Sequence, residues 1–367
     1  MRWRAIVRGL VVAGGAWWCT SCAPSGFAVE SLVQSVRVLA SSADPVYAQP
    51  GQSVNVQVLA FDGRSSQPEP MQVYWLPFWC KNPEDDAYFA CFTQLAGDGG
   101  VPEGGVDEGG AGAGASLGEL RPGVDLGSIP GLLQKGPTFQ FAMPSDIVTA
   151  HAPGSHPPSY GLAILFNAAC AGHLEYVPPS GNNPQQVPLG CFDQAENQLG
   201  ADDWVFGYTR VYAFAPDVLD GGPLLNQNPV IDSVDVQGQT LAVSLAPTTT
   251  QVYTTQAIST PHCSGSCPSI PIGPIVPPTS WEVNPEETDV HGNALHEEIW
   301  ADFYTTFGSF SGDTGLLYDA TSGSIGDAGT TDNQWTPPPQ PGTGFIWIVV
   351  HDDRGGASWV TVPVTVQ

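Results

Sequence analysis

Cysteines come first among the residues with which this chain could do chemistry. Six of its eight fall as sequence-local pairs: Cys80 with Cys91, Cys170 with Cys191, and Cys263 with Cys267. Thiols at such spacing either oxidise to disulfides or hold a soft metal, and the compartment decides between the two. The last pair adds a nitrogen donor in His262-Cys263-Ser264-Gly265-Ser266-Cys267. A structural zinc site wants four ligands and this stretch offers three, so disulfides are expected at all three pairs.

Other candidate chemistry is weaker. Ser116 sits in Gly114-Ala115-Ser116-Leu117-Gly118, the spacing of a nucleophile elbow. That elbow needs a strand entering and a helix leaving, whereas here a glycine tract surrounds it. His291 and His296 precede Glu297 and Glu298, but a zinc protease helix needs its histidines four apart. His151, His156 and His173 are isolated among prolines or small residues, and His351 flanks a turn. Asp313, Asp319, Asp327, Asp332, Asp352 and Asp353 lie near glycine-rich turns, where oxygen ligands could gather for calcium. Aspartate favours turns for its own reasons, and none of these makes an EF-hand loop. Tyr74, Trp75, Phe78 and Trp79 could stack on a sugar, although strand alternation commits at least one of the two rows to a core. No catalytic residue, metal ligand or cofactor is assigned.

The compartment is read from the first 22 residues. Arg2, Arg4 and Arg8 precede an apolar run from Gly9 to Trp18, followed by small residues, which is the layout of a secretion signal. Ten apolar residues are too few for a membrane-spanning helix, which needs about 20. The Thr20-Ser21-Cys22 ending resembles a bacterial lipoprotein signal, although Cys19 stands where that family has an aliphatic residue. The resemblance implies cleavage before Cys22 and a diacylglycerol anchor on its sulfur, with the membrane as the expected partner. Ala23 in place of a retention aspartate implies the outer membrane of a two-membrane envelope. Ordinary secretion with cleavage after Ala28 is the alternative, and it leaves the same six thiols.

Composition bounds the remaining partners. Thirty-six acidic against ten basic residues give a net charge of −26, which repels nucleic acid and leaves no basic stripe to overcome the repulsion. The 43 glycines and 35 prolines call for many turns and few helices.

Positioning elements are short alternating strands. Val54, Val56, Val58 and Ala60 alternate with Ser53, Asn55, Gln57 and Leu59, after a turn at Pro50-Gly51-Gln52; an earlier strand runs through Val36, Val38 and Ala40, and an aromatic one through Gln72 to Leu76. Together with Gly344 to Gly356 and Trp359 to Val362, these runs resemble the strands and closing hairpin of bacterial immunoglobulin-like domains, and the end of polycystic-kidney-type repeats. The resemblance implies an all-β chain of two immunoglobulin-like β-sandwich domains in tandem. A first-strand echo between Val33–Val38 and Ile231–Val236 supports the duplication, as does the echo of Gly161–Phe166 in Gly344–Val349. The expected layout is a signal segment 1–22, a first sandwich 30–215 with an acidic Gly-rich insertion 95–131, a linker 216–229 and a second sandwich 230–367. The expected role is a non-catalytic structural or binding module with a protein or glycan ligand. The alternatives are a hydrolase or its accessory with a loop-built site, and a calcium-dependent adhesin.

Overall fold

Val54, Val56 and Val58 share one face of the strand Ser53–Asp62, and that face is buried. The strand pairs with Val36–Asp44 on one side and Thr138–Ala142 on the other, forming a three-stranded antiparallel sheet. The chain leaves this sheet at Asp44, and Tyr47–Ala48 joins a second sheet parallel to Tyr212–Ala213. That second sheet runs in the order Tyr47–Ala48, Trp204–Phe214, Tyr160–Cys170, Gln72–Lys81, Gly118–Glu119. The computed structural model describes residues 30–92, 118–119, 131–151, 159–177, 187–219, 226–247, 249–326 and 331–367. Cys22, Ser116, His156, Asp327 and most of the insertion 95–131 lie outside the described residues.

Facing sheets make the first core. Val54, Val56, Phe139 and Phe141 on one side meet Trp75, Trp79, Leu165 and Val211 on the other. Trp75 is 1% exposed, and its indole N–H donates to the Gly136 carbonyl at 3.0 Å, so its one polar atom is satisfied. Between Trp75 and Trp79 the strand takes two extra residues, since these pair with Asn167 and Leu165. The bulge keeps both indoles on the inner face while Leu76, Phe78 and Cys80 face outward.

The outward face of this sheet is as apolar as the inward one. Leu162, Ile164 and Phe166 project there and are covered by Tyr88, Cys91, Phe92 and Leu189. Two disulfides tie the cover down: Cys80–Cys91 holds the segment that carries Tyr88 and Phe92, and Cys170–Cys191 holds the hairpin His173–Tyr176/Leu189–Phe192. Both aromatic rows of the Tyr74 to Trp79 stretch are therefore buried, Tyr74 and Phe78 under the cover and Trp75 and Trp79 in the sandwich. This removes the stretch as a sugar-stacking face.

The remainder of the chain curls one sheet into a second sandwich. Gln239–Leu245 pairs with Ser233–Val236 through its first half and with Val252–Thr255 through its second, so it passes from one layer to the other. The closing hairpin, Gly342–Asp352 with Ala357–Val366, holds ten register pairs from Gly342↔Val366 to His351↔Ala357. Its neighbour is Ile299–Thr305. Ile346, Ile348 and Val350 point into a core with Phe303, Trp335 and Val360.

The opposite row of that hairpin packs on the first sandwich. Trp347, Val349 and Trp359 meet Val33, Leu39 and Ala40, with Leu59 and Phe61 beside them. Phe61 and Trp347 ring centroids are 4.7 Å apart. A bulge between Val38 and Ala40 interrupts the simple alternation of the first strand and lets Leu39 reach this joint. The N-terminal side adds backbone bonds: Val33 N–H donates to the Thr305 carbonyl at 2.9 Å, and Thr305 N–H to that of Ser31 at 2.7 Å. The end of the expected linker is built into the structure. Asn226 is buried, and the Asn228 side chain accepts from the Ser42 hydroxyl and the Ala357 N–H while donating to the Ala43 carbonyl.

Candidate tyrosine-lined binding cleft

Strand alternation puts Tyr208, Arg210, Tyr212 and Phe214 on one face of Trp204–Phe214. Tyr160 lies opposite Phe214 in the ladder, and Tyr47 stands on the adjoining short strand. Their rings make a continuous surface, with centroids 5.0 Å apart for Tyr47 and Phe214, and 5.7 Å for Tyr160 and Tyr212. Tyr88 extends it by stacking on Tyr208 at 4.5 Å. Tyr47, Tyr160, Tyr208 and Tyr212 remain half-buried, so their faces and hydroxyls are divided between protein and solvent. The cover over the central strand reaches this end of the sheet through Asp86 and Tyr88 and leaves the tyrosines only half-buried.

A turn of the second sandwich forms the opposite wall. Asp353, Arg354 and Gly355, with Asn284 and Glu287, enclose with the tyrosines a cleft of about 650 Å³. The turn is rigid for local reasons. The Asp352 carboxylate accepts from the N–H groups of Arg354 at 2.9 Å and Gly356 at 2.7 Å. Gly355 has a φ of 95°, and a Cβ on Gly356 would stand 2.0 Å from Asp352 Oδ2. Only glycine fits either position.

Electrostatics at this wall are those of a buried arginine set among carboxyl groups whose charge burial disfavours. Arg354 donates to the fully buried Glu297 carboxylate at 2.8 Å, and its guanidinium lies 5.2 Å from the centre of the Tyr47 ring. Burial foremost, then the charge of Asp352, pushes the Glu297 carboxyl up to about 8 against the pull of Arg354. Burial likewise pushes up the carboxyl of Asp353, which accepts from the Asn284 amide at 3.4 Å. On the aromatic side, Tyr160 donates to Asp86, and this bond together with burial pushes the phenol up to about 12. Burial also raises the phenol of Tyr212. Both phenols stay protonated near neutrality; Tyr160 spends its O–H on Asp86 and can only accept further bonds. The cleft thus offers flat apolar faces edged by hydroxyl, amide, guanidinium and carboxylate groups.

The residues singled out from the sequence are distributed elsewhere. Disulfides join Cys80 to Cys91, Cys170 to Cys191 and Cys263 to Cys267, with Cα separations of 5.9, 5.9 and 5.4 Å. His262, beside the last pair, bonds through Nδ1 to the Gln367 carbonyl. His291 is exposed and His296 bonds to the Trp281 carbonyl, so the two do not converge with Glu297. His351 lies 3.2 Å from Asp302 and stacks on Trp300. Two of the turn aspartates close their own turns, Asp319 by accepting from the N–H groups of Thr321 and Ser322 and Asp352 as above, while Asp313 accepts from the N–H of Ser31. Among the described residues no three of these aspartates meet.

Sequence reading missed the cleft and one further constellation. Arg354 was legible as an arginine in a chain with ten basic residues, yet the turn around it explained itself. Tyr208, Tyr212 and Phe214 do alternate, but nothing local says that this half of the row stays uncovered. His173 is not isolated, because Glu175 and Glu196 come within 3.5 and 3.6 Å of it.

No family model and no curated protein matches the chain. Among the solved structures that it weakly resembles are two large ones. The native conformation of E. coli alpha-2-macroglobulin aligns at 10% identity and a TM-score of 0.19, over 90% of this chain and 17% of that one. The dimeric latent form of PorU from Porphyromonas gingivalis aligns at 10% identity and a TM-score of 0.18, over 92% of this chain and 24% of that one.

Proposed function

We propose that the mature protein is a non-catalytic cell-envelope lipoprotein, anchored through diacylglycerol on Cys22, that binds a glycan in the tyrosine-lined cleft. The carrying observation is the half-buried row of Tyr47, Tyr160, Tyr208 and Tyr212 facing polar groups across about 650 Å³. A sugar ring has the matching character, one apolar face to lie on an aromatic ring and a rim of hydroxyls for amide, carboxylate and guanidinium partners. Disulfides fit an extracellular or periplasmic compartment.

Glycan-array binding followed by titration of the retained oligosaccharide tests the reading. Arg210→Ala, at an exposed position of the strand, is expected to weaken binding at least tenfold without lowering thermal stability, and Tyr208→Ala to weaken it as much while also loosening the packing of Tyr88. Unchanged affinity in both variants, or no retained glycan, would overturn it. Intact mass of membrane-extracted protein checks the anchor, and a first residue other than modified Cys22 would remove the lipoprotein part. A second reading makes the same cleft hydrolytic, because Glu287 and Asp353 both line it and glycoside hydrolysis uses two carboxyl groups. Release of reducing ends that Asp353→Asn abolishes, with binding retained, would replace the non-catalytic reading by this one.

A further inference from the structure

The hairpin behind the Cys170–Cys191 disulfide gathers three metal-capable donors. His173 and Glu175 alternate onto one face of His173–Tyr176, paired with Leu189–Phe192 in the register His173↔Phe192 and Glu175↔Gly190. Just past the return strand, a turn closed by the Asp193 carboxylate on the N–H groups of Ala195 and Asn197 delivers Glu196 to the same spot. The imidazole Nε2 lies 3.5 Å from Glu175 Oε1 and 3.6 Å from Glu196 Oε2, and all three donor atoms fall within 4.8 Å of one another. Among the described residues this is the one such group.

Those distances are long for a hydrogen bond from an imidazole, which prefers about 2.7 to 3.2 Å. They are the distances expected of donors sharing an ion. Ligands about 2.0 to 2.1 Å from a tetrahedral zinc stand about 3.3 Å from each other. Charge points the same way, since two carboxylates face one imidazole. One nitrogen and two oxygen donors suit a divalent transition ion better than calcium, which takes six or more oxygens. The frame is stiff, because the disulfide closes its base and Tyr74 donates to the Gly172 carbonyl at 2.8 Å. Glu196 is exposed, which leaves the fourth coordination position to solvent.

We propose that His173, Glu175 and Glu196 form a divalent transition-metal site of the zinc class on this disulfide-braced hairpin, separate from the cleft. Isothermal titration of the purified protein with Zn²⁺, and with Ca²⁺ in parallel, tests it. One saturable zinc equivalent is expected, weakened at least tenfold in both His173→Gln and Glu196→Gln, with metal-free melting temperatures unchanged. Glu196→Gln sits on an exposed turn and decides the matter if His173→Gln folds poorly. Absence of saturable zinc binding, zinc binding by the Glu196→Gln variant equal to wild type, or tighter binding of calcium than of zinc would overturn the proposal.

Discussion

Glu297 departs far from the ordinary behaviour of a glutamate. Its carboxyl is fully buried, beside Asp352 and Glu282 and in contact with Arg354. In the unfolded chain it gives up its proton near 4.5, in the folded chain near 8. Between those values the native state holds the extra proton, so this residue's contribution to stability falls as pH rises through that window. Glu297→Gln keeps an acceptor for Arg354 and cannot ionise. Its melting temperature, relative to wild type, is expected to climb steadily from pH 5 to pH 8; a constant difference across the series would show that Glu297 titrates normally. The identity of this residue as a buried acid was not legible locally. Glu297 and Glu298 adjoin in the sequence, yet one is enclosed by the Asp352–Gly356 turn and the other is not.

At the scale of elements, the strand Tyr160–Cys170 is buried on both faces. Tyr88, Cys91, Phe92 and Leu189 cover Leu162, Ile164 and Phe166, and the disulfides fix that cover. Replacing Cys80 and Cys91 by alanine is expected to cost about 3 kcal/mol in unfolding free energy, by the loop-closure estimate. It should also raise binding of a hydrophobic dye to the native state, because the segment bearing Tyr88 and Phe92 loses its tether. Denaturant titration and dye fluorescence check the two effects, and a loss of stability with no added dye binding would mean that packing alone holds the cover. Much at this scale was readable. The valine alternation in Ser53–Asp62, the hairpin arms and the cysteine pairing are period or spacing signals carried by neighbouring residues. The outward row of Ser53–Asp62 turns from Ser53, Asn55 and Gln57 to Leu59 and Phe61, where the second sandwich begins to cover it.

For the whole molecule, the joint between the sandwiches positions the cleft. Phe61, Leu39, Trp347 and Trp359 form its apolar part, and Asn228 and Thr305 supply its hydrogen bonds. Truncating Trp347, which is 3% exposed, to alanine should cost about 3 kcal/mol. Calorimetry of wild type is expected to show one transition and Trp347→Ala two, as the halves lose their coupling; a single, merely lowered transition would place the side chain's weight inside one sandwich. Glycan affinity should fall in the same variant, since Arg354 would no longer be held over Tyr47.

The sequence by itself determined the all-β class and the partners of the six described cysteines, because these rest on local periodicity, composition and short separations along the chain. Tertiary structure alone decided which aromatic row would be left facing solvent, and that Arg354 would meet Tyr47 and His173 would meet Glu196. Such meetings depend on how two faces, each apolar and each in need of a partner, are paired across the fold. Periodicity says that a face must be buried; it does not name what buries it.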